Sequence, residues 1–221
     1  MFQASTLKFL RDLKKNNNKA WFDTNRKIYE AAKKDFESFI QQVIDKHSKK
    51  DKTIAEQTPP SCMFRINRDV RFSKDKSPYK TNLGAYINRG GKKSVYGGYY
   101  FHLEPGGAFT GGGIWMPMPE ELKKVRQEID YNFDEFKKII GSKKFKSVYG
   151  TLSDDPEYKL SRVPKGYDDK NPAAEFLKHK TYVALQSISD KELTSKDLMK
   201  KVLTAFETLQ PLVEFINRSL A

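Results

Sequence analysis

The sequence predicts an α+β domain, a mainly antiparallel sheet packed with N-terminal and C-terminal helices. Three observations carry this. Apolar residues recur at helical spacing over residues 5–47 and again after residue 194. Between residues 62 and 116 the period shortens to two, and tight Gly and Pro turns separate the runs. Neither a linker nor an internal repeat divides the 221 residues, so they are expected to form a single domain.

Ser5 is placed as the cap of a helix through Lys15, with Leu7, Leu10 and Leu13 on one face; Asn16-Asn17-Asn18 breaks it. A second helix is expected over 19–47, with Trp21, Phe22, Tyr29, Phe36, Ile40 and Ile44 in the helical period. Trp21 therefore reads as a core residue. Residues 49–60 read as a polar loop, with Pro59-Pro60 excluding helix. In 62–73 one alternating set is Phe64, Ile66, Arg68, Val70 and Phe72, and the other is Met63, Arg65, Asn67, Asp69, Arg71 and Ser73. That is a strand with one mostly apolar and one polar face. Ser77-Pro78 marks a turn, 83–88 a second strand and 89–92 another turn. Residues 98–104 and 108–116 flank Pro105-Gly106-Gly107 as a hairpin. Helices are expected over 119–129, from Asn132 to Ile140 ended by Gly141, and from Asn171-Pro172 to Lys178. Residues 150–171 are loop-rich, 181–188 form a strand, and Thr194 caps a terminal helix that Pro211 kinks or interrupts.

The net charge of +13 is concentrated. Residues 61–100 hold nine Lys and Arg against two Asp, a net of +7, whereas residues 101–221 hold 19 basic and 18 acidic side chains. A local excess rich in Arg points to an anionic partner, nucleic acid among them. Cys62 is the only cysteine, which excludes an intramolecular disulfide and favours a reducing compartment. Residues 1–15 lack a secretory pattern and no run approaches about 18 apolar residues. The cytoplasm is the expected compartment, with no membrane partner.

The densest functional signal is 64–82. Six cations (Arg65, Arg68, Arg71, Lys74, Lys76, Lys80) face two acids (Asp69, Asp75), and Tyr79, Thr81 and Asn82 add neutral hydrogen-bonding groups. On a strand, Asp69 and Arg71 lie roughly 7 Å apart and Arg65 and Asp69 roughly 13 Å apart. An Asp beside an Arg orients its guanidinium, and a fixed guanidinium binds phosphate or carboxylate with two hydrogen bonds. The candidate anion site is Arg65, Arg71, Lys74, Lys76, Tyr79 and Lys80, with Asp69 as the orienting partner. The plainer reading is a structural ion-pair network on a sheet face, and Arg68, in the apolar register, fits that role.

Named chemistries are missing. His47, His102 and His179 show no HxH or HExxH spacing and form no zinc set with Cys62. There is no GxSxG elbow and no GxxxxGK[ST] loop, and the glycines lack dinucleotide-fold spacing. Asp154-Asp155 and Asp168-Asp169 read as solvated loop acids. No metal or cofactor is expected.

The string from Arg65 to Asn82 (RINRDVRFSKDKSPYKTN) resembles the signature of an uncharacterised bacterial and fungal family, domain-of-unknown-function family 2461. Asn16-Asn17 with Trp21-Phe22, Gly112-Gly113-Ile114-Trp115-Met116-Pro117 and Pro164-Lys165-Gly166-Tyr167 also match, so the resemblance covers nearly the whole chain. It implies one domain and no particular activity. It also suggests that Trp21, the Gly111–Gly113 run and Trp115 approach the basic strand, which makes Gly112, Gly113 and Trp115 candidate pocket lining. Close strand packing is the competing role of the glycines.

Three functions are thereby in play. The first is binding of a phosphate-bearing ligand, either a small phosphorylated molecule or a short nucleic-acid segment. The second is an enzyme acting on a phosphorylated or carboxylated small molecule. The third is a structural or interaction domain whose cations are paired internally.

Overall fold

The alternating segments between residues 83 and 114, joined later by 182–187, fold as one antiparallel sheet in the order β1 (Leu83–Asn88), β2 (Gly98–Leu103), β3 (Phe109–Ile114) and β4 (Tyr182–Ser187). The computed structural model describes residues 1–221. Strand alternation gives the sheet two unlike faces. Tyr99, Phe101 and Leu103 of β2 point to one face and are fully buried. Phe101 meets the rings of Phe2 and Phe39 there, and Tyr99 stacks on Phe206. Burying each such side chain contributes roughly 1.5–3 kcal/mol. Tyr100 and His102 point to the opposite face and are half-buried.

Helices cover the first face. At the N-terminal end are α1 (Ala4–Lys15), α2 (Lys19–Thr24), α3 (Arg26–His47) and the single turn α4 (Pro59–Cys62). Between β3 and β4 come α5 (Pro119–Tyr131), α6 (Phe133–Gly141), α7 (Lys143–Tyr149) and α8 (Ala174–Leu177). The chain ends with α9 (Asp190–Leu193) and α10 (Leu198–Arg218). The apolar faces of α1, α3 and α10 meet the sheet in one continuous core. No helix is long and apolar enough to cross a membrane.

Several elements differ from the sequence expectation. The helix expected over 19–47 is two helices, divided at Asn25, whose side-chain amide donates to the Trp21 carbonyl (2.8 Å). Asn18 caps the first by accepting from the Trp21 N–H (3.0 Å). Pro59-Pro60 opens α4 instead of forbidding helix, because the first turn needs no donor from those residues. The expected strand over 62–73 is not part of the sheet; only the isolated bridges Met63↔Ala85 and Asn67↔Tyr79 form there. Alternation recorded an extended chain and could not supply it with a partner strand. Pro211 leaves α10 unbroken. Leu209, Leu212, Val213, Phe215 and Ile216 are buried on both sides of it, and that packing outweighs the roughly 3 kcal/mol a helical proline costs. Thr194 follows α9 instead of capping α10, and α7 lies in a stretch with no predicted element.

Candidate functional site

Residues 64–82 form a lobe that leaves the edge of the sheet beside β1 and returns into it. The Phe64 N–H donates to the Gly84 carbonyl (3.0 Å) at its base. The two arms then pair: the Lys80 N–H donates to the Ile66 carbonyl (2.8 Å) and the Arg68 N–H to the Pro78 carbonyl (2.9 Å). Asn17, in the turn between α1 and α2, holds the returning arm. Its carboxamide accepts from the Tyr79 N–H (3.1 Å) and donates to the Tyr79 carbonyl (2.8 Å). The Tyr79 ring stacks on Phe22, centroid to centroid 3.9 Å.

The tip is organised from within. Asp75 accepts from the N–H and hydroxyl of Ser77 (2.9 and 2.6 Å) and from the Arg68 guanidinium. Arg68 also donates to the Ser77 carbonyl (3.2 Å) and the Ser73 hydroxyl (3.4 Å). The Ser77 bonds, then Arg68, hold the Asp75 carboxyl well below its ordinary pKa. Asp69 grips the Arg71 guanidinium with both carboxylate oxygens (2.9 and 2.7 Å), which lowers its own pKa. The Lys76 ammonium donates to the Val70 carbonyl (3.0 Å).

The remaining cations, Arg65, Lys74 and Lys80, have no carboxylate partner. Lys80 lies against Phe64, its ammonium 5.3 Å from the ring centre. Burial, then the charge of Arg65, lowers the Lys80 pKa. Two unanswered cations, one of them partly desolvated, make the base of the lobe the place where an added anion gains most.

The predicted site residues thus separate. Arg65 and Lys80 are both at the base, on the two paired arms, while Arg71, Lys74 and Lys76 are at the tip with Asp69. Tyr79 has its ring in the core, so its contribution is to fix the arm. Gly112, Gly113 and Trp115 belong to the far end of the sheet, where Gly113 pairs with Gly98 and Val183. The lobe joins β1 at Leu83, opposite Leu103, about five residues or roughly 16 Å of strand away. Trp115 packs edge-on to Tyr158. The glycines have a packing role: a Cβ at Gly112 would sit 2.1 Å from the Gly98 carbonyl oxygen, and one at Gly113 2.0 Å from that of Tyr182. Their φ values, 150° and 116°, are also ones that other residues rarely adopt. Trp21 is near the lobe through its neighbour Phe22, and its own ring stacks on Phe9.

Motif spacing overlooked a polar row beside the lobe. Tyr100 and His102 of β2 and Glu104 just after it lie at alternate positions on the half-open face. The His102 Nε2 is 3.2 Å from Glu104 and its Nδ1 is 3.1 Å from the Tyr100 hydroxyl. Glu104 also accepts from the Thr81 hydroxyl (3.0 Å) and lies 3.6 Å from the Lys14 ammonium. With Glu104 ionised, His102 donates from Nε2, so Nδ1 accepts the Tyr100 proton. Burial lowers the His102 pKa against the pull of Glu104, and it pushes the Tyr100 hydroxyl up to about 12. Gly84 leaves room for that hydroxyl, since a Cβ there would be 2.5 Å from it. The signal was present in the sequence as polar residues at i, i+2 and i+4 of a recognised strand, a pattern that carries meaning only once the face is known to be open.

A surface cavity of about 450 Å³ lined by Asp154, Lys159, Glu175 and Lys178 carries opposite charges already paired, Lys159 with Asp154 at 2.7 Å and Lys178 with Glu175 at 2.6 Å. No group of three or more His, Cys, Asp or Glu side chains converges as a metal site.

Compared with known proteins, residues 5–215 match one family profile, described as "Conserved hypothetical protein (DUF2461)". No curated protein and no solved structure matches the chain.

Proposed function

Since the chain belongs to the DUF2461 family, whose description carries no activity, we propose a function from its own residues: it binds a phosphate-bearing ligand, a small phosphorylated molecule or a short nucleic-acid segment, at the base of the 64–82 lobe. One observation carries this reading. Arg65 and Lys80 stand on the two paired arms at the base of the lobe, near enough for the Arg65 charge to act on Lys80; neither has a carboxylate partner, and Lys80 is partly desolvated. A charge in that setting is offset by an incoming anion. Internal pairing accounts for Arg68 and Arg71, but the structural-network reading requires Arg65 to be paired as well, and it has no carboxylate partner. That reading leaves Arg65, Lys74 and Lys80 without a role. The buried Cys62 thiol fits a reducing compartment, and we place the protein in the cytoplasm.

The test is calorimetric titration of inorganic pyrophosphate at low ionic strength. Wild-type protein is expected to bind, and Arg65→Ala and Lys80→Ala each to weaken binding about ten-fold, the scale of one charge-assisted hydrogen bond. Lys178→Ala, at the self-paired cavity, is expected to bind as wild type. Equal affinity in all four proteins, or no binding, removes the reading.

The Tyr100–His102–Glu104 row favours a second reading, an enzyme. A ligand hydroxyl resting on the Tyr100 oxygen could lose its proton to that oxygen as Tyr100 passes its own to His102, with Glu104 stabilising the imidazolium. Asp69 is a poor base by comparison, because its bonds to Arg71 lower its pKa and so weaken it as a proton acceptor near neutral pH. If phosphate-ester turnover is found, Tyr100→Phe is expected to abolish it, and full turnover in that variant excludes the row from catalysis.

A further inference from the structure

We infer that the ligand of the lobe is single-stranded nucleic acid, gripped by the rings of Phe64 and Phe72 as well as by the cations; the inference rests on the phosphate-binding reading above. Phe72, at the tip, is 96% exposed, and no other ring of the chain packs on it. A phenylalanine held almost wholly in water is a cost that the fold does not recover. Beside it lies the Arg71 guanidinium, 5.8 Å from the ring centre. The base of the lobe repeats the arrangement: Phe64 is 39% exposed and Lys80 sits 5.3 Å from its ring centre. Two solvent-facing rings, each with a cation beside it, are therefore spaced eight residues apart, at most about 29 Å of chain.

That pairing matches the chemistry of an unpaired strand. Successive bases offer apolar faces to stack on aromatic rings, and the phosphates between them offer charges to cations. Both acids of the lobe are already occupied, Asp69 by Arg71 and Asp75 by Arg68, so neither is free to pair with Lys74 or Arg65. The lobe is also set before binding. Asn17 fixes one arm and Arg68 fills the tip, which lowers the ordering cost of association. Duplex nucleic acid fits less well, because its base faces are covered by stacking. A bilayer fits less well, because Phe64 is anchored beside Tyr100 at the sheet, at the other end of the lobe from Phe72.

The experiment is fluorescence anisotropy with a labelled oligothymidine and a labelled oligouridine of about a dozen nucleotides. A duplex of the same length, sedimentation with phosphatidylserine-containing vesicles, and calorimetry with inorganic pyrophosphate accompany it. At least one single strand is expected to bind more tightly than the duplex. Phe72→Ala is expected to weaken single-strand binding roughly ten-fold with an unchanged salt slope. Arg65→Ala and Lys74→Ala are each expected to lower the slope by about 0.7. Phe72 makes no core contact, so its variant keeps the fold. Preference for duplex, vesicle binding without oligonucleotide binding, or full affinity in both Phe64→Ala and Phe72→Ala overturns the inference. Pyrophosphate binding that depends on Arg65 and Lys80, with no oligonucleotide bound, removes this inference and leaves the phosphate reading standing. Binding of neither removes both.

Discussion

The ammonium of Lys80 lies 5.3 Å from the centre of the Phe64 ring and has no carboxylate partner. Its pKa is lowered from the ordinary 10.5, by burial first and then by Arg65. Bound anion favours the charged form, so anion affinity is expected to fall as pH rises, beginning below the range where an ordinary lysine deprotonates. Pyrophosphate titrations at increasing pH check this. Lys80→Arg should hold its affinity across the same range, because guanidinium stays charged. In Arg65→Ala the fall should move to higher pH.

Asn17 satisfies both backbone groups of Tyr79. Asn17→Ala is expected to destabilise the protein by roughly 1–2 kcal/mol, since it leaves partly buried partners unpaired. Amide hydrogen exchange locates the effect: the Tyr79 and Lys80 amides should lose protection while Phe101, in the sheet, keeps its own.

His47 is buried with both ring nitrogens unpartnered, edge-on to Tyr99 at 4.5 Å between ring centres. Burial lowers its pKa from 6.5, against the opposing charges of Asp51 and Glu207 and with that of Lys50. A lowered histidine pKa contributes stability that is fully present above the unfolded value and is lost as pH falls below it. Urea unfolding should therefore show stability declining as pH drops through about 6.5. His102 and His179, lowered in the same way, add to the decline. His47→Phe removes one titrating group and two unpaired nitrogens. It is expected to flatten part of the slope and to be neutral or stabilising by about 1 kcal/mol at neutral pH.

Gly112→Ala would press a methyl group to 2.1 Å from the Gly98 carbonyl oxygen and 2.9 Å from Leu209. We expect a loss of about 3 kcal/mol or more in urea unfolding. Gly141→Ala, where no atom lies within 4 Å of the added carbon and φ is ordinary, should be neutral or slightly stabilising.

The sequence by itself determined the α+β class, all four strands of the sheet to within two residues of their ends and the hairpin at Pro105-Gly106-Gly107, because alternation, helical period and turn chemistry are local properties. It also located the charge, since composition needs no coordinates. Pairing was beyond it. Residues 64–72 alternate like a strand, but whether an extended chain joins a sheet depends on a partner's backbone, and here the partner is the chain's own returning arm, held by Asn17 from 62 residues away. The same limit applied to the cations. Arg65, Arg68 and Arg71 look alike in sequence, yet the fold gives Arg68 to Asp75 and Arg71 to Asp69 and leaves Arg65 beside Lys80. Only the tertiary structure decided which charges are satisfied, because an ion pair is set by distance in space.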